Sequence, residues 1–147
     1  MRMLRCIGLF TLLAFLAGCA ATGPKMSEVK STIPALSQDQ GRIYFYRTRS
    51  IFGAAITADL RVNGDVVGRS TRGSFFFVDR PAGNYEVASS TETEKKATFA
   101  LSGRETKYVR TYVGMGILVG RIIPELVNAD EAEKEMADLA YVESAKK

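Results

Sequence analysis

The sequence predicts a mainly β protein: a single antiparallel β-sandwich of about seven to eight strands, followed by a C-terminal α-helix. Three observations predict it. Short runs of β-branched and aromatic residues recur between Arg42 and Pro124, broken about every 8–12 residues by Gly, Pro, Asn or Asp. Several runs alternate apolar with polar side chains, the period of a half-buried strand. From Asp130 the period becomes helical, with Ala132, Met136 and Leu139 on one face.

In chain order, residues 1–18 read as a cleaved signal peptide. Arg2 and Arg5 give a positive start, and Cys6 to Ala17 is an uncharged, mostly apolar run. A spanning helix needs ~20 such residues, whereas the apolar stretch of a signal peptide needs only ~7–15. Leu16-Ala17-Gly18-Cys19 then resembles the lipobox of bacterial lipoproteins. That resemblance implies peptidase recognition of Leu16, Ala17 and Gly18, diacylglycerol on the Cys19 thiol, and a further acyl chain, such as palmitate, on the freed amine. Two or three chains anchor firmly where one binds reversibly. Ala20 follows the cysteine; by resemblance to enterobacterial sorting, the absence of Asp there directs the protein to the periplasmic face of the outer membrane.

Residues 19–41 read as a lipidated flexible tether, because Pro24, Pro34, Ser27, Ser31 and Ser37 break the periodicity; a short helix near Met26–Lys30 is weakly signalled. Residues 42–124 form the expected sandwich. Ile43-Tyr44-Phe45-Tyr46 is apolar or aromatic on both faces, as in a central strand. Ala58, Leu60 and Val62 alternate with polar neighbours, Asn63-Gly64-Asp65 turns the chain, and Val66 to Arg69 returns it. Phe75-Phe76-Phe77-Val78 is the next strand. Arg80-Pro81-Ala82-Gly83 is a corner leading to Tyr85, Val87 and Ser89. Ala97, Phe99 and Leu101 alternate next, followed by a turn at Ser102-Gly103 and a strand from Lys107 to Val113. Gly114 to Gly120 reads as a strand with glycine bulges that ends at Pro124. No Lys-Ser/Thr follows to complete a phosphate loop. Residues 125–147 are the expected acidic helix, packed on or near the sandwich, with Asp130 and Glu133 as a capping box.

Composition narrows the function. Loss of residues 1–18 leaves 129 residues, one domain's worth, and takes the 20 basic side chains to 18 against 16 acidic. This balance is no nucleic-acid signal. There is no histidine, and the two cysteines lie in the leader and at the lipid site, so the commonest bases, nucleophiles and metal ligands are missing. No cofactor and no enzymatic activity are expected. Asp59, Asp65 and Asp79 match no calcium loop; Ser70, Thr71 and Ser74 lack an activating base; Glu92 and Glu94 form a polar bend. Charge is unevenly placed: residues 42–121 carry thirteen Lys/Arg against seven Asp/Glu, while residues 122–147 carry three against seven. The acidic tail is expected to lie against the basic body; the alternative is a basic face that meets anionic lipid or polymer.

Ile43-Tyr44-Phe45-Tyr46-Arg47, Val62 to Gly68, Arg80-Pro81-Ala82-Gly83-Asn84-Tyr85-Glu86-Val87, and Gly103 through Lys107-Tyr108-Val109-Arg110 resemble a bacterial family described as domain of unknown function 2846. The turn pattern is also similar to small surface-layer and carboxypeptidase-regulatory sandwiches. The resemblance implies a β-sandwich and frequent lipidation, but no activity. The expected role is a membrane-anchored, non-catalytic structural or protein-interaction lipoprotein of the envelope. The alternative is a module for peptidoglycan or another surface polymer. Tyr46, Arg47, Arg49 and Arg110 are the candidate ligand- or partner-binding residues.

Overall fold

The computed structural model describes residues 21–90, 94–115 and 120–145. The leader, Leu16 to Gly18 and Cys19 lie outside them, as do Glu92 and Gly116 to Val119.

The elements run α1 (Met26–Val29), β1 (Gln40–Arg47), β2 (Ala58–Val62), β3 (Asp65–Ser70), β4 (Ser74–Pro81), β5 (Gly83–Ser89), β6 (Lys95–Leu101), β7 (Thr106–Gly114), β8 (Arg121–Val127), α2 (Ala129–Met136) and β9 (Ala140–Tyr141). Two sheets result, ordered β8-β7-β1-β4-β9 and β3-β2-β5-β6. Most pairs are antiparallel, but β1 with β7 and β4 with β9 run parallel.

Period-two alternation gives the five-stranded sheet two different faces. Ile43, Phe45, Phe76, Val78 and Val109 point inward to meet Leu60, Val62, Val67, Val87 and Leu101 of the other sheet. Phe45 and Phe76 stack at 5.0 Å between centroids. Tyr44, Tyr46 and Phe75 point outward and form a second core with Ala132, Met136 and Leu139. The architecture is a sandwich with a helical third layer. Two-sided burial is why Ile43-Tyr44-Phe45-Tyr46 is hydrophobic or aromatic throughout. Two buried hydroxyl bonds join the sheets: Ser70 with Thr111 at 2.8 Å, and Ser89 donating to the Ile122 carbonyl.

The Asn63-Gly64 turn is as expected, with φ of 49° and 90°. Gly68 permits a close approach, because a Cβ there would stand 2.5 Å from the Phe76 ring.

Several elements differ from expectation. Residues 24–36 are not a free tether: Met26, Val29 and Ile33 pack on the second core, and Tyr141 N–H donates to the Pro24 carbonyl. Burial of three apolar side chains outweighs the helix-breaking prolines and serines around them. No strand ends at Pro124. β7 stops at Gly114, and β8 runs through Pro124 to Val127. This is tolerated because β8 is an edge strand. The cap of α2 is Asn128, whose side chain accepts from Glu131 N–H; Asp130 lies inside the first turn. The helix spans eight residues, and the chain then adds β9.

Candidate functional site

Of the four residues nominated from the sequence, Tyr46 and Arg110 lie on the outer face of the five-stranded sheet, Arg47 follows the inward parity of Ile43 and Phe45 at the end of β1, and Arg49 lies in the loop beyond; each one is engaged within the chain. Tyr46, at the end of β1, is 2% exposed and donates its hydroxyl to Glu135 of α2 at 2.7 Å. Burial and the neighbouring carboxylate both raise its pKa. Arg110 of β7 faces three carboxylates: Glu131 at 2.7 Å, Glu135 at 2.9 Å and Glu125 at 3.0 Å. Burial disfavours its charge, but the carboxylates outweigh this and hold its pKa above the ordinary value. The basic body and acidic tail therefore meet here. Lys30 with Glu133 and Lys25 with Asp138 extend the contact.

Arg47 is 3% exposed. Its guanidinium donates to the Ile56 and Gly53 carbonyls at 2.5 and 2.6 Å, pinning the loop that follows β1. Burial, then the nearby Arg72, lower its pKa. Arg49 is exposed, but one of its nitrogens donates to the Asp138 carbonyl at 2.9 Å. These four side chains do not line a common groove: Tyr46 and Arg47 are buried, while Arg49 and part of Arg110 stay at the surface. Folding uses Tyr46, Arg47 and Arg110 because a buried polar group needs a partner more than an exposed one does.

A different concavity is present. α1, α2 and the sheet enclose a groove of about 230 Å³, lined by Met26, Ser27, Lys30, Tyr44, Tyr108, Glu133, Met136 and Ala137. Its floor is Tyr44 stacked on Tyr108, 5.4 Å apart and 9° from parallel. Burial, then Glu133, push Tyr108 up to about 12, and burial also raises Tyr44. At neutral pH both are neutral phenols. The groove offers an apolar floor and one opposite-charge pair at its rim, which suits contact with apolar groups.

Sequence reasoning missed Arg42. It is 6% exposed, grips Asp79 through two 2.7 Å bonds, donates to the Pro34 carbonyl, and stands 4.4 Å over the Phe77 ring. It fixes the segment before β1 to the sheet. Asp59 pairs with Arg69 and Asp79 with Arg42, which accounts for two of the three acids weighed for calcium. Among the described residues, no helix is long and apolar enough to cross a membrane.

Comparison with known proteins gives two matches. The family described as "Protein of unknown function (DUF2846)" matches residues 37–121. An uncharacterised protein of Haemophilus influenzae (strain ATCC 51907 / DSM 11121 / KW20 / Rd) is 26% identical over 131 residues, covering 86% of this chain and 77% of that protein. No solved structure matches.

Proposed function

The chain belongs to the family of proteins of unknown function DUF2846, and on that footing we propose that it is a membrane-anchored envelope lipoprotein with a non-catalytic structural or protein-interaction role. The observation that carries the proposal is the order of features at the N-terminus: two arginines, a short apolar run, and Leu16-Ala17-Gly18-Cys19. Ala20 after the lipidated cysteine favours the periplasmic face of the outer membrane. Residue chemistry supports a non-catalytic role, since the mature chain has neither histidine nor a free thiol. The internal pairing of Arg110 and Tyr46, and the burial of Arg47, weigh against the polymer-binding alternative, which needs those side chains at the surface.

Cys19→Ala tests the anchor. The variant should leave the membrane fraction, and intact-mass analysis of the native protein should show two or three acyl chains on Cys19. Unchanged sedimentation with membranes, or an unmodified thiol, would refute it. Crosslinking in intact envelopes tests the role. Recovery of a specific protein partner supports interaction, whereas salt-sensitive retention on purified peptidoglycan would shift the case to the polymer reading.

A further inference from the structure

One end of the sandwich displays apolar side chains that the fold itself does not use. β1 and β7 run parallel, so the loops after Arg47 and after Gly114 open at the same end, where Ser74 at the start of β4 faces Arg47. Ile51 and Phe52 in the first loop are 84% and 60% exposed, and Met115 after β7 is 86% exposed. The loops touch: Gly53 lies against Val113, and Gly120 against Ile56 and Val113. Arg47 holds the first loop from below through two carbonyls. The apolar tip is therefore supported by packing and by a buried cation.

The chain enters the domain at this same end. Ala21 lines a small cleft with Arg49, Arg72 and Gly73. Tyr141 N–H bonds to the Pro24 carbonyl and Met26 N–H to the Leu139 carbonyl, which fixes the entering segment. Cys19 precedes Ala21 by two residues, and two residues span at most ~7 Å whatever path they take. A leaflet holding acyl chains on Cys19 must then lie beside Arg49 and Arg72. Both arginines donate to carbonyl oxygens, Arg49 to Asp138 and Arg72 to Arg49 and Ser50.

We propose that this end of the sandwich is a membrane-docking face. The inference rests on the lipid-anchor reading above. Ile51, Phe52 and Met115 enter the interfacial zone of the leaflet that holds the anchor, and Arg49 and Arg72 meet its anionic headgroups. Exposed apolar side chains beside cations have the composition of an interfacial anchor, and a second attachment point supplements the acyl chains. The domain then stands upright on the bilayer instead of swinging on a tether. The Asn63-Gly64 turn, at the other end of β2, points away from the membrane.

The chain has no tryptophan, so a single introduced indole reports its own position. The test uses Phe52→Trp in the full, exported and processed protein. The protein is reconstituted into vesicles of equimolar phosphatidylethanolamine and phosphatidylglycerol, with acylation of Cys19 checked by intact mass. Its emission should shift to the blue and be quenched by lipids brominated near the top of their acyl chains. Val66→Trp, at the far end, should show neither effect. Adding Ile51→Asp to Phe52→Trp should lose most of the quenching while the protein stays bound to vesicles. An unquenched indole at position 52 on acylated protein overturns the docking face and leaves the anchor intact. Equal quenching at positions 52 and 66, or an indole shielded from both lipid and aqueous quenchers by a protein partner, also overturns it. An unmodified Cys19 overturns both anchor and docking face.

Discussion

Glu135→Ala probes the junction between the basic sheet face and the acidic helix. Glu135 accepts the Tyr46 hydroxyl at 2.7 Å and an Arg110 nitrogen at 2.9 and 3.1 Å. Removing its carboxylate still leaves Arg110 with Glu125 and Glu131, and the Arg110 side chain is 23% exposed, so that charge is not orphaned. The loss falls on Tyr46, whose ring is buried and whose hydroxyl donates to Glu135 and to no second acceptor among the described residues. An orphaned buried donor costs about 1–3 kcal/mol, whereas deleting the donor costs about 0.5–1.5 kcal/mol. Tyr46→Phe alone should therefore be the milder change. In the Tyr46→Phe/Glu135→Ala double variant no donor is orphaned. Its destabilisation should fall short of the sum of the single effects by about 1 kcal/mol. Urea unfolding of the three variants and the parent, with the denaturant slope unchanged, measures this coupling. Additivity within about 0.5 kcal/mol would show that something other than Glu135 satisfies Tyr46, and would refute the reasoning.

Three further outcomes follow from the same geometry. Arg47→Lys should cost about 1–3 kcal/mol and speed proteolytic nicking between residues 48 and 57, because one ammonium cannot replace a guanidinium fork on two carbonyls; parent-like nicking would count against the pinning role. Gly68→Ala should destabilise by about 1–3 kcal/mol, since its Cβ would stand 2.5 Å from the Phe76 ring, and Phe76→Leu in the same chain should relieve part of that cost in thermal unfolding. In alkaline titration read by phenolate absorbance, Tyr44, Tyr46 and Tyr108 should ionise late, because burial raises all three, with Tyr108 pushed up to about 12. A raised folded-state pKa gives stability that is intact below about pH 10 and lost as pH climbs toward 12, so unfolding should accompany these late phenols; three early, reversible ionisations in a folded protein would contradict it.

The strands were legible because their evidence is local. Asn63-Gly64 needs positive φ in any fold, and Phe75-Phe76-Phe77 must bury both faces wherever it lies. The nature of the outer cover was not legible from those strands, since Ala132, Met136 and Met26 reach it from opposite ends of the chain. Met26, Val29 and Ile33 did carry a signal: they fall at i, i+3 and i+7, a helical face, within a segment whose prolines and serines argue for disorder. The cap was misplaced because Asn128 with Glu131 and Asp130 with Glu133 fit the same spacing, and the fold uses the earlier one, with the Asn128 side chain accepting from Glu131 N–H. The nominated site residues find partners in their own chain for a related reason. Tyr46, Arg47 and Arg110 have the residue types of a binding surface, but type alone does not separate a side chain that meets a ligand from one that meets its own chain. The informative signal was the sign change at residue 122, because Arg110 finds its partners in Glu125, Glu131 and Glu135.

That sign change also decides where positive charge remains. The acidic segment runs across the outer face of the sheet and pairs with Arg110, Lys30 and Lys25 along its length. Asp79 pairs with Arg42 at the opposite end of β1 from the apolar tip. Arg72, at the tip end, donates instead to carbonyl oxygens, which orient a guanidinium without cancelling its charge, and Arg49 donates to the Asp138 carbonyl with the Asp138 carboxylate near enough to feel its charge. The fold thus neutralises its basic residues over the face that α2 covers and leaves arginines charged where the chain enters beside Ala21. A uniformly charged body would give a lipid-tethered domain no preferred orientation over an anionic leaflet. Arginines left charged at the anchored end favour the orientation that brings that end to the leaflet.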